Sequence, residues 1–176
     1  MKKNLLSIMV VAITAMLMPG NAGAQVAMIN SSNAGSGFST SNNASIKGSI
    51  SAANVNFRTL KDFKKRFATT TDVIWQETDN GYLAKFSAGL IETMIAYGQH
   101  GTWFYTIQRY YERNLPADVR ALVKSTYYDY TIVQIEEVNV PQQENTIYIL
   151  HLRDNKNFKI VRVCGDEMEV IEDYHE

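Results

Sequence analysis

Cysteine is almost absent: Cys164 stands alone in 176 residues, so no internal disulfide can form even where the compartment would permit one. It is read as a small, half-buried residue at a strand end, with no surrounding signature of a thiol enzyme. An excess of one charge is also lacking, with 17 Lys and Arg against 18 Asp and Glu. A chain this close to neutral carries no electrostatic footprint for nucleic acid. The most apolar run, residues 5–18, is shorter than the roughly 20 residues a helix needs to cross a bilayer. Histidine is scarce, and His100, His151 and His175 fall in a predicted hairpin, a strand and the tail. None has a second ligand at metal-binding spacing, so no metal or other cofactor is expected. No nucleophile elbow or related signature is present, so the chain is not expected to be an enzyme.

What is present begins with an export signal. Met1-Lys2-Lys3-Asn4 supplies positive charge, the apolar run follows, and Ala22 and Ala24 occupy the small positions of a cleavage site. Residues 1–24 therefore read as a cleavable signal peptide, and the expected location is periplasmic or secreted. No cysteine lies beside the cleavage site to accept a lipid, so no membrane insertion is expected after cleavage. Loss of Lys2 and Lys3 leaves 15 basic against 18 acidic side chains, a net charge of about −3.

Residues 25–54 are dominated by Ser, Asn, Ala and Gly. Such composition offers too little apolar surface to offset the entropy of ordering, and predicts a flexible leader. From residue 55 aromatic, β-branched and charged residues become frequent and remain so, and the remaining chain of about 120 residues is enough for one compact domain. Leu60, Phe63, Lys64 and Phe67 recur at helical spacing and predict a helix over 59–68. Alternating runs at 72–78, 82–87, 91–97 and 102–108, separated by short turns, predict an antiparallel meander. Leu115-Pro116-Ala117-Asp118 opens a second helix that ends near Thr126. Four more runs follow, at 131–138, 146–152, 158–163 and 167–173. The order of one helix and four strands thus occurs twice, over about 57–112 and 113–174, which predicts an α+β domain at 55–176 built as a tandem repeat. Joined edge to edge, the units form one long sheet with both helices on one face and the other face open.

Several of these residues carry a resemblance: Phe63 and Phe67 on the first helix, Trp75, Tyr82-Leu83-Ala84-Lys85-Phe86, Gly101-Thr102-Trp103, Leu115-Pro116 and Tyr148-Ile149-Leu150. Together they resemble the PepSY-like, beta-lactamase-inhibitor-like family of periplasmic proteins, over about residues 57–170. The resemblance implies export, a two-repeat αβ fold and recognition of a protein or peptide, by analogy with inhibitors whose concave sheet grips an enzyme. It implies no activity, and a fold is not a function. The chain departs from the family pattern at Tyr97-Gly98-Gln99-His100-Gly101, where an Asp usually precedes the turn.

Carboxylates at Glu136-Glu137 and at Asp166, Glu167 and Glu169 read as solvated surface charge, since adjacent strand residues point to opposite faces. Asp154-Asn155-Lys156-Asn157 reads as a plain hairpin turn, with Lys156 where a calcium loop would need a ligand. Aromatic residues are in surplus, and one helix-covered face does not obviously absorb them all. Tyr97, Trp103 and Tyr105, if they point outward, make a platform of the kind that dominates protein interfaces. Tyr128 and Tyr130 flank the second helix, where rings either seal the junction between repeats or line a groove. These five are the candidate partner-binding residues of a monomeric module for a protein, peptide or envelope polymer. The competing reading is a structural or chaperone-like envelope protein without a discrete ligand site.

Overall fold

The computed structural model describes residues 46–175. The expected signal peptide and residues 25–45 of the expected leader lie outside the described residues. The strands are β1 (Ile46–Ile50), β2 (Ile74–Thr78), β3 (Gly81–Ala88), β4 (Ile91–Gly98), β5 (Trp103–Tyr110), β6 (Thr131–Asn139), β7 (Ile147–Arg153), β8 (Asn157–Cys164) and β9 (Glu167–His175). They form a single sheet in sequence order, every neighbouring pair antiparallel. Helices α1 (Phe57–Arg66) and α2 (Ala117–Thr126) each follow a short 3-10 turn, Ala52–Asn54 and Glu112–Asn114.

The repeat extends to the helix ends. The two helices start sixty positions apart, and the offset carries Val55 onto Leu115, Thr59 onto Val119 and Phe63 onto Val123. All six of these side chains are buried. Each helix closes the same way: Phe67 N–H donates to the Phe63 carbonyl and Tyr127 N–H to that of Val123, at 2.8 and 2.9 Å. The starts differ chemically. The Asn56 side chain accepts from Arg58 N–H at 2.8 Å, whereas α2 begins after Pro116, whose missing N–H is no loss at that position. The Asn56 cap starts α1 at Phe57, ahead of the predicted Thr59.

Strand β1 corrects the expected boundary of the leader at Asn54. Its residues are mostly exposed, so it contributes little apolar burial, and composition carries no sign of it. It is held by main-chain pairing along the edge of β2, with Ile50 opposite Trp75 and a bulge beside Gly48. A short, glycine-containing edge strand with a lysine is also a common way to blunt a sheet edge.

Register decides which face the helices cover. Trp75 pairs with Ala84, Ala84 with Ile95 and Ile95 with Thr106, while Tyr110 pairs with Ile135, Ile135 with Leu150 and Leu150 with Val161. Directly opposed residues share a face, and these two rows sit on the same one because Thr106 and Tyr110 are an even number of positions apart. Phe63 of α1 meets Trp75 edge-on at 5.2 Å between centroids and Phe86 at 6.0 Å. Val119 and Val123 of α2 pack with Tyr110, Ile135 and Leu150. Both helices therefore lie on one face, as expected. Full burial of side chains of this size contributes about 1.5–3 kcal/mol each, which makes the two cores the main source of stability.

Candidate functional site

The sheet face away from the helices differs in its chemistry from the expected aromatic platform. Cross-strand pairing lines up Lys85, Met94, Ile107, Val138, Ile147 and Cys164 in one row. The neighbouring row runs Glu92, Arg109, Glu136, Ile149, Arg162 and Glu169, and beyond it Gln134 faces His151 and His151 faces Ile160. The centre of this face is closed to water rather than open: Met94 is 1% exposed, Ile107 and Val138 2%, and Ile147 and Ile149 0%.

Glu136 corrects the reading of Glu136-Glu137 as solvated charge. Its side chain is 1% exposed, and one oxygen accepts from Arg109 Nη2 at 2.7 Å. Glu137 points to the helix side, where it accepts from the Tyr110 hydroxyl at 2.7 Å. Adjacent strand residues do face opposite ways, but each carboxylate finds a partner there. Burial, reinforced by the Glu137 carboxylate, drives the Tyr110 hydroxyl to hold its proton well above the usual tyrosine range. At the edge of this face, Leu90, Glu92, Arg109, Tyr110, Tyr111 and Gln134 line a small, shallow cleft of about 70 Å³. Leu90 and Tyr111 are exposed and form its rim.

His151 sits in the same neighbourhood, buried, its ring 5.8 Å from that of Phe158. Burial holds its pKa below the ordinary 6.5, opposed by the Glu136 and Glu172 carboxylates and aided by Arg109. Its neutral form is thus favoured in the fold. Where the folded pKa lies below the unfolded one, stability is intact above the unfolded pKa and falls as pH drops through the window between the two. Unfolding free energy is therefore expected to decline as pH falls below about 6.5, and His151→Phe is expected to flatten that part of the profile. Parallel profiles for the two chains would show that His151 titrates freely.

The five sequence-predicted residues are not brought together. Tyr97 is 2% exposed on the helix side, where its hydroxyl donates to Asp62 of α1 at 3.1 Å. Trp103 also lies there, half-buried against the α1 core, its indole N–H donating to Thr106 Oγ1 at 3.0 Å and the Arg66 guanidinium 4.1 Å from its ring. Tyr130 is core, edge-on to Tyr127 at 5.6 Å. It seals the α2 end of the sheet rather than lining a groove. Tyr128 is 80% exposed in the turn after α2. Only Tyr105 sits on the face away from the helices, opposite Ala96, half-buried, its hydroxyl pKa raised by burial. The platform fails because α1 brings aromatic side chains of its own, and Phe63 and Phe67 recruit the aromatic strand face as their counterpart. Cys164 is half-buried at the end of β8, its sulfur accepting from the Gln143 amide at 3.4 Å.

No protein-family model matches this sequence, and no curated protein sequence is similar to it. Solved structures of similar fold exist. A BLIP-like protein from Bacteroides fragilis superposes with a TM-score of 0.56 at 15% identity, over 69% of this chain and 86% of that one. A DUF2874 family protein from Bacteroides ovatus gives 0.55 at 15% identity, over 69% and 88%. A Bacteroides eggerthii protein described as periplasmic gives 0.53 at 14% identity, over 69% and 88%. At these identities the likeness shows the fold: an α+β meander of one antiparallel sheet with two helices.

Proposed function

We propose that this chain is a non-catalytic binding module of the bacterial envelope, engaging a protein or peptide through the sheet face away from its helices. The observation that carries the reading is the composition of that face. It combines aliphatic rows with a few polar side chains, Gln134, Glu136, His151 and Arg162, beside a cleft rimmed by the exposed Leu90 and Tyr111, the mix of apolar lining and few polar groups typical of binding sites. A periplasmic location is supported by the N-terminal run that reads as an export signal and by the name of the Bacteroides eggerthii structure of similar fold. The BLIP-like description of another such structure points the same way, toward inhibition or capture rather than catalysis.

The rim of the cleft provides the test. A Leu90→Asp, Tyr111→Ser chain should melt like the native one, because both side chains are exposed, yet lose a partner captured from native envelope extract. Tyr128→Ala, which alters the exposed turn after α2, should capture as the native chain does. Full capture by the rim variant together with loss in the Tyr128 variant would move the site to the helix side.

A further inference from the structure

The sheet ends in two edge strands, β1 and β9, and they are built differently. Strand β1 is 5 residues long and carries Lys47, Gly48 and a bulge. Its lysine is already held by Glu77 and Asp79, at 3.8 and 3.6 Å. Strand β9 runs for 9 residues without glycine, proline or lysine, and it pairs with β8 throughout but for one irregularity beside Val161. Among the described residues nothing pairs with its outer side. That side therefore presents main-chain N–H and C=O groups at the spacing of a strand, which another extended chain matches directly. Val170 and Tyr174 add apolar surface there, 42% and 38% exposed.

Charge decides which chain fits. Register sets Glu167, Glu169 and Glu172 opposite Cys164, Arg162 and Ile160, all on the face away from the helices, where Arg162 opposes Ile149 and Ile160 opposes His151. Arg162 offsets one of these three carboxylates, loosely, at 3.8 Å from the 66% exposed Glu169. On the helix side Asp173 is held by Lys159 at 2.5 Å. The outward row on β9 is therefore acidic. A second copy pairing antiparallel through β9 would set these carboxylates against their own image, and like charges directly opposite destabilise a strand pair. Strand β1 of a copy would bring only the engaged Lys47. We propose that the β9 edge accepts an extended segment of a basic partner as a further strand. Lys or Arg side chains at alternate positions face Glu167, Glu169 and Glu172, and the β-branched residues between them lie on the side of Met168 and Val170.

Amide NMR of the mature chain during titration with acetyl-Lys-Val-Lys-Val-Lys-Val-amide tests this. The largest shifts should fall on β9, and its amides should exchange more slowly with solvent in the complex. Three companion peptides separate the terms: one with Glu in place of Lys, one with Pro in place of the central Val, which cannot sit inside a ladder, and the block sequence Lys-Lys-Lys-Val-Val-Val. The alternating basic peptide should bind best of the four. A Glu167→Gln, Glu169→Gln chain, altered only at exposed side chains, should melt close to the native one and bind that peptide about fivefold more weakly. Equal binding of the proline or block peptide would show a general charge contact and overturn strand addition. Preference for the Glu peptide, unchanged affinity in the double variant, or β9 amides unmoved by any peptide would overturn the site. The edge is separate from the cleft, so the Leu90→Asp, Tyr111→Ser chain should bind the basic peptide as the native chain does. Loss of binding there would place the peptide at the cleft and overturn the edge site, while the binding-module reading is judged on partner capture alone.

Discussion

Tyr97→Ala is expected to lower unfolding free energy by about 3–5 kcal/mol, the range for deleting a large buried aromatic side chain. Tyr97 is 2% exposed and packs in the cluster of Phe63, Trp75, Phe86 and Ile95, its ring 6.5 Å from that of Trp75. Its hydroxyl donates to the same Asp62 oxygen that Arg66 holds at 2.7 Å. Burial, then the Asp62 carboxylate, keep that hydroxyl protonated far beyond the usual tyrosine range. Tyr97→Phe removes only the hydrogen bond and should cost about 0.5–1.5 kcal/mol. Chemical denaturation of the three chains separates the terms, and an alanine variant as stable as the native chain would return Tyr97 to the surface.

The second large effect belongs to the Arg109 and Glu136 pair. Glu136→Leu should destabilise by about 3 kcal/mol, because it leaves a largely buried guanidinium without its carboxylate. The Arg109→Leu, Glu136→Leu double variant should recover most of that loss, since a buried ion pair and a well-packed apolar pair are often close in stability. A strongly coupled double-mutant cycle is therefore expected. Additive effects of the two single substitutions would mean that the pair, at 2.7 Å with Glu136 1% exposed, adds no coupling to the fold.

Eight of the strands and both helices could be read from the sequence because runs of β-branched, aromatic and aliphatic residues, or apolar residues at helical spacing, are set off by short turn segments. Strand β1 could not, because it joins the sheet through its backbone while Lys47, Gly48 and Ser49 leave no periodic trace. The site was less legible than the fold. Alternation puts Trp103 and Tyr105 on one face of β5, but an irregularity in the pairing of β4 with β5, between Ala96 and Tyr97, sends them to opposite faces, and alternation does not say which face a helix covers. The available signal was the pairing of like with like: Phe63 and Phe67 on α1 demand an aromatic counterpart, which Trp75 and Phe86 supply. Glu136 was illegible for a different reason. Its burial depends on Arg109, 27 residues earlier, and on a register that only the assembled sheet provides.

The central claim, that partners engage the sheet face away from the helices, is tested most directly by methyl NMR of the mature chain during titration with a partner captured from envelope extract. Methyl signals of Ile107, Val138, Ile149 and Ile160 should shift with ligand, while those of Val119 and Val123 beneath α2 stay in place. Shifts confined to the helix-side methyls, with the Ile149 signal unmoved at saturation, would contradict the account.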